Sequence, residues 1–219
     1  MKTKDRILQY SLKLFNEEGE QAVAPVDIAN ALEISPGNLY YHFKGKDPII
    51  HQLFLDFEEE FRMVLNAPIK KRMELNDNWI YLYILFEEIA DFRFFYRNIQ
   101  SLLERYPDLE RKFRRLMKVK VDSMASLIAG LEEVNFIKIS EIEAAQMAER
   151  FALQLTYWPT YQTLMDDEVS VPESIHKGVF GIISQLTPYV TEGSEDFLEV
   201  ITDFRDKMLK TAGQKRKPL

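Results

Sequence analysis

Apolar residues in this chain recur at the three-to-four-residue spacing of helices almost from end to end, with no stretch of strand-like alternation. Ile7, Leu8, Leu12, Leu14 and Phe15, followed by Gly19 as a C-cap, predict a first helix over residues 3–18. Val26, Ile28, Ala29 and Leu32, with Pro25 in the first turn, predict a short second one over 25–32. Ser35 is a natural N-cap for a third helix, with Pro36 at its first position and Leu39, Tyr40 and Phe43 as apolar contacts. After "KGK", Asp47 is expected to cap a fourth helix reaching Ala67, striped by Ile49, Leu53, Phe54, Phe57, Phe61 and Leu65. Longer helices are expected over 75–98, over 100–131 with a break at Pro107, and over 140–165, 172–189 and 194–210. Breaks fall at "NFIKIS", "DDEVSVP" and "TEGS", and Pro159 should kink or end its helix. The pattern is all-α. It divides into a small domain over 1–46, a larger one over 47–210 entered through the 47–67 helix, and a disordered basic tail over 211–219.

Composition narrows the chemistry. With 219 residues, 46% hydrophobic and 29% charged, the chain can bury a large core, and no window is apolar enough to span a membrane. The N-terminus is charged at once and lacks a secretion signal, so the cytoplasm is the expected location. No cysteine is present, which excludes disulfides, thiolate catalysis and Cys-based zinc sites. His42, His51 and His176 have no metal-ligand spacing, and no phosphate loop or nucleophile–base pair appears. Neither a cofactor nor an enzyme is implied. Carboxylate pairs such as Glu87–Glu88 and Asp166–Asp167 read as solvated helix ends. The formal charge of −7 opposes bulk electrostatic binding of nucleic acid, so an anion site near the N-terminus must depend on placement.

Two short helices joined by "LEIS" have the spacing of a helix-turn-helix, in which one helix supports another that enters the DNA major groove. Ile28, Ala29 and Leu32 supply the supporting core, and Leu39 and Phe43, four apart, share the buried face of the third helix. The opposite face is left to Pro36, Gly37, Asn38, Tyr41 and Tyr40; taken alone, such a helix reads more readily as an amphipathic core element with a polar edge, and its context reverses that. Asn can pair with adenine and Tyr can touch base edges, while Lys44 and Lys46 sit where a following helix starts and phosphate is readily held.

The segments "RILQYSLKLFNEEG" and "VDIANALEISPGNLYYHFKGKDPII", in order and register, make residues 4–55 resemble the DNA-binding domain of the TetR family of bacterial transcription regulators. That resemblance implies base-facing roles for Pro36, Gly37, Asn38 and Tyr41, and phosphate contacts from Tyr40, His42, Lys44 and Lys46. One departure stands out: Ala24–Pro25 replaces the Thr or Ser that usually caps the second helix and touches a phosphate. The resemblance further implies a homodimer formed by the last two long helices, here through Ile175, Val179, Ile182, Ile183, Leu186, Phe197, Ile201, Phe204 and Met208. It also implies a small-molecule pocket among the middle helices. Trp79, Tyr83, Phe86, Arg93 and Arg97 are candidates from one stretch, and Arg150, Gln154, Tyr157, Trp158 and Tyr161 from another. These combine apolar surface with polar handles, which suits an apolar aromatic or acyl ligand, with an arginine for any carboxylate. The stripe of Arg111, Arg115 and Lys118 reads as a solvated surface. The expected function is a repressor released from a palindromic operator by a small molecule. The alternative is an adaptor whose helix-turn-helix contacts protein, supported by the near-neutral head and the missing cap.

Overall fold

Ser35 is the clearest example of local chemistry setting an element: its hydroxyl accepts the Asn38 amide at 3.1 Å and starts α3, Pro36–His42. The computed structural model describes residues 2–66, 75–165, 168–191 and 194–214. Among these the chain is helical apart from one isolated antiparallel bridge, Ile137–Val190. Among the described residues no helix is long and apolar enough to cross a membrane.

α1, Thr3–Glu18, packs on α2, Pro25–Ala31, which packs on α3. Ala24 offers α2 no side-chain cap, but Asp27 reaches back and accepts the Ala24 amide at 2.8 Å. One orphan donor of the helix start is thereby satisfied from inside the helix. In the turn between α2 and α3, Glu33 adopts φ 55°, a left-handed conformation that costs a non-glycine residue roughly 1–2 kcal/mol. α4, Lys46–Leu65, begins after Gly45 rather than at Asp47, which lies inside its first turn. It stops at Leu65, short of the expected Ala67, which lies outside the described residues.

The expected 75–98 helix is broken. α5, Leu75–Asp91, gives way to α6, Phe94–Arg97, and α7, Ile99–Arg105. The cause is distant in sequence: Asn16 of α1 donates its amide to the Asp91 carbonyl at 2.7 Å and accepts the Phe94 amide at 3.0 Å, supplying partners the helix would otherwise provide itself. α8, Pro107–Glu133, starts on its proline, and α9, Glu141–Met165, runs through Pro159 without ending. α10, Val171–Ile183, is shorter than expected because residues 184–189 tighten into a 3-10 turn holding Pro188. α11, Ser194–Gln214, continues through part of the expected tail; residues 215–219 lie outside the described residues.

Rings of Phe54, Phe57, Phe61, Phe92, Phe95, Tyr96 and Phe113 form the centre of the larger domain, neighbours lying 5.3–6.5 Å apart. Inside this lattice Lys120 of α8 is fully buried. Its ammonium donates to Tyr96 Oη and Thr156 Oγ1, both at 3.1 Å, and lies 4.7–5.8 Å from the centres of the Tyr96, Phe61 and Phe113 rings. No carboxylate pairs with it among the described residues. Burial alone pulls its pKa down to about 7. Between α4 and α5, burial first, then the charges of Glu60, Asp91 and Glu87, push the Glu88 carboxyl up to about 7.

The two groups act in opposite senses. Glu88, with its pKa raised, contributes most in acid and loses that contribution as pH climbs through about 7. Lys120, with its pKa lowered, penalises the fold below about 7, and the penalty fades as pH rises toward 10.5, where the unfolded lysine also loses its proton. Lys120→Met should therefore raise the melting temperature most at pH 6 and progressively less toward pH 10. Subtracting the parent's melting curve at each pH removes the Glu88 contribution; a lower melting temperature at pH 6 would show that the buried ammonium stabilises the fold.

Candidate nucleic-acid interface and ligand cavity

α3 presents two unlike faces because Leu39 and Phe43 are four residues apart and both buried. Between and beside them Pro36, Gly37 and Asn38 are exposed, as are Tyr40 at 54% and Tyr41 at 78%. Large aromatic side chains seldom stand so free on a surface with nothing to meet. The Lys44 ammonium lies 5.3 Å from the centre of the Tyr40 ring, placing a cation next to its phenol, and the partly buried His42 meets Tyr41 edge-on at 5.2 Å. Gly37 lacks a positive φ, and a Cβ there would meet only Ser35 Oγ, at 3.9 Å. The fold itself therefore does not require glycine at this position; what the glycine leaves is room for an approaching surface.

Lys46 does not join this face as expected. Its ammonium donates to the carbonyls of Glu20 at 2.5 Å and Val23 at 3.0 Å, closing the α1–α2 loop. Two of its three N–H groups are spent inside the head, so its first role is structural. The Arg111, Arg115 and Lys118 stripe runs along an exposed part of α8, where Arg111 pairs with Asp108 at 3.2 Å and Arg114 with Glu110 at 2.7 Å. Such solvated pairs contribute little.

A cavity of about 250 Å³ opens among α5, α6, α9 and α10. Phe86, Ile89 and Ala90 form one wall, Trp158, Pro159, Gln162 and Thr163 a second, and Val169, Val171, Ser174 and Ile175 a third. Arg93 and Arg97 close the end beside the α5–α6 break. Of the expected pocket residues, Phe86, Arg93, Arg97 and Trp158 line it. Trp79 and Tyr83 do not: the Trp79 indole donates to Nδ1 of buried His176 at 3.2 Å and the Tyr83 ring lies 4.9 Å from the imidazole. Burial lowers the His176 pKa, which suits a neutral ring accepting that bond. Gln154 is engaged with the Gly178 carbonyl and Gln185 at 3.1 and 2.8 Å, while Arg150, Tyr157 and Tyr161 turn outward. The reason is register, since Phe151, Leu155 and Trp158 take the inner side of α9. Sequence reasoning missed the third wall because "DDEVSVP" reads as a break; the valines flanking the Ser170 cap were the available signal.

α10 closes on the cavity walls only because residue 178 is glycine: a Cβ there would lie 2.8 Å from Phe86 Cζ and 3.0 Å from Trp158 Nε1. Arg93 donates to the Ala90 carbonyl at 3.2 Å and Arg97 to the Asn16 carbonyl at 2.8 Å. Burial first, and Arg97 second, lower the Arg93 pKa, against opposing effects from Asp91 and Glu17.

The expected dimer residues face the chain's own core. Ile175, Val179, Ile182, Ile183, Leu186, Phe197 and Ile201 are buried within it, Phe204 lies 5.0 Å from the Trp79 ring, and Met208 is half-buried. A second apolar row stands open instead on α9, where Leu153, Tyr157, Tyr161, Leu164 and Met165 are all more than half exposed.

Two family profiles match the chain: "Bacterial regulatory proteins, tetR family" over residues 7–53 and "Bacterial transcriptional repressor" over 56–197. The HTH-type transcriptional regulator QacR of Staphylococcus aureus is 30% identical over 123 residues, which cover 52% of this chain and 65% of that protein. The probable HTH-type transcriptional regulator YttP of Bacillus subtilis is 29% identical over 65 residues, 30% of this chain. The matched stretch spans about a third of YttP and of the regulator UidR of Escherichia coli, at 31% and 35%. A solved TetR-family regulator from Marinobacter aquaeolei VT8 superposes with a TM-score of 0.83 at 30% identity, over 95% of this chain and 99% of its own. A complex of SmeT with triclosan shares the fold at a TM-score of 0.56 and 13% identity.

The two glycines should respond oppositely to alanine. Gly37→Ala is expected to leave the melting temperature unchanged or raise it, by up to about 1 kcal/mol of stability. Gly178→Ala should cost about 1–3 kcal/mol, because Phe86 or Trp158 must shift. Circular-dichroism melts of both variants check this.

Proposed function

The chain belongs to the TetR family of bacterial transcriptional regulators, and we propose that it is a homodimeric repressor whose α3 helices read two operator half-sites until a small, largely apolar ligand fills the cavity. It is a regulator and not an enzyme. The observation that carries the reading is the α3 face, where Pro36, Gly37, Asn38 and Tyr41 are exposed while Leu39 and Phe43 are held inside. Asn38 is suited to adenine and Tyr41 to base edges; Tyr40, His42 and Lys44 flank them toward the backbone of the duplex. The head spans residues 1–46 and the ligand-binding and dimerising body 47–210.

Dimerisation is assigned to the open row on α9, since the faces of α10 and α11 first expected to pair are already covered. Two recognition helices bind together only when their spacing matches one turn of DNA, roughly 34–36 Å. A ligand that favours another spacing lowers affinity by shifting the population of states. On the adaptor alternative, Ala24 still offers α2 no side-chain cap, although Asp27 anchors the helix start by accepting the Ala24 amide.

Selection from random duplexes should enrich a two-fold symmetric site; enrichment of no sequence would defeat the reading. On the selected duplex, Asn38→Ala or Tyr41→Ala should relax sequence preference, whereas Lys44→Ala should weaken all sequences alike and reduce the salt slope by about one. Leu164→Glu should yield monomers in sedimentation velocity and lose operator binding.

A further inference from the structure

Arg97 belongs to two sites at once. It lines the cavity, and its Nη1 donates at 2.8 Å to the main-chain carbonyl of Asn16, in the last turn of α1. Carbonyls in a last helical turn have no partner within the helix, and a cation there also meets the negative end of the helix dipole. Arg97 therefore caps the head's first helix from the wall of the cavity. Neither Arg97 nor Arg93 is in an ion pair among the described residues. Their charges differ in availability. Arg93 is held to the Ala90 carbonyl and is within electrostatic reach of Asp91 and Glu17, whereas among the described residues the Arg97 guanidinium donates to the neutral Asn16 carbonyl.

We propose that the effector carries a carboxylate, that the carboxylate engages Arg97, and that doing so takes the guanidinium away from Asn16. The inference rests on the cavity being the effector site and names the ligand's chemistry there. A carboxylate accepts two parallel N–H groups of a guanidinium and forms stronger, charge-assisted bonds than a peptide carbonyl does. Apolar walls of Phe86, Ile89, Trp158 and Val171 receive the remainder of the molecule. The space equals that of about eight waters at ~30 Å³ each, which sets the ligand at the size of a medium-chain or aryl-alkyl acid. Uncapping Asn16 weakens the junction that holds the head in its DNA-binding pose, so acid binding and operator release become one equilibrium.

The test uses the full-length protein with octanoate, decanoate and 3-phenylpropanoate, each against its matching alcohol. Affinities come from calorimetry, and exchange of the amides of residues 16–20 from hydrogen–deuterium exchange. The acids should bind the parent about tenfold tighter than the alcohols, as a charge-assisted bond predicts. They should also speed exchange at residues 16–20 and release the selected duplex. Arg97→Gln should retain alcohol binding while losing the acid preference and the exchange response. Arg97→Lys, which keeps the charge without the fork, should show an intermediate preference. Equal binding of acids and alcohols by the parent, or an acid preference that survives in a folded Arg97→Gln, overturns the carboxylate and leaves the cavity reading standing. If neither series binds the parent, both fall together.

Discussion

A buried amide at the end of a helix must find partners for both of its ends, and Asn16 finds them only where α5 stops. Its NH2 takes the Asp91 carbonyl, its oxygen takes the Phe94 amide, and its own carbonyl takes Arg97. Each such bond is worth on the order of 1 kcal/mol when made, and a buried group left unpaired costs about 1–3 kcal/mol. The head cannot rotate freely against the body while these bonds hold. The loop that follows α1 is gripped from both sides as well: Lys46 binds its carbonyls from within the head, and Glu20 and Gln21 meet Arg105 and Ser101 of α7. The short segment from 92 to 106 is thus the seat of the head, and its first residues are also the end wall of the cavity.

The remainder of the body supplies the stiffness that makes this junction consequential. α4 carries Phe54, Phe57 and Phe61 into the same ring lattice that α6 enters through Phe95 and Tyr96. A displacement of α6 at its cavity end cannot dissipate in loosely packed side chains, because close-packed interiors transmit strain. Lys120 fits this picture poorly as a stabiliser: a cation among rings without a carboxylate gains some ring attraction but forfeits its hydration. It holds Tyr96 and Thr156 at fixed positions across α6, α8 and α9, which serves uniqueness of packing more than stability.

How much of this was legible in the sequence depended on the range of the interaction involved. The head was read almost residue by residue, since Ser35, Pro25, Gly19 and the Leu39–Phe43 pair signal through neighbours within four positions. The α5–α6 break was missed because its cause lies 75 residues upstream, and no helix-breaking residue marks it. The burial of the expected dimer residues in the chain's own core was not legible for a related reason. An apolar helix face, such as that of Ile175, Val179, Ile182 and Ile183 on α10, does not say whether its own chain or a second copy will cover it. Lys120 was passed over because a lysine in "MKVKVDSM" reads as surface, and only the packing of α4, α6 and α9 around α8 buries it. The arginines of the cavity were named, but their division of labour depends on Asn16 and could not be.

The charge distribution of the head then acquires a consistent meaning. With Lys46 turned inward and a net formal charge of −7 overall, the exposed face of α3 itself carries tyrosines and an asparagine, with Lys44 the cation beside it. In the proposed complex, counterion release, which supplies most sequence-independent affinity, would come from cations flanking α3 and not from its reading face. What remains comes from shape and base-edge contacts that a wrong sequence fails to satisfy. In the proposed complex such a head would also be sensitive to its own orientation, because each half-site would rest on contacts that need the correct spacing. Under the proposed mechanism, a modest change at Asn16, one hydrogen bond in size, would be commensurate with the affinity it is asked to control.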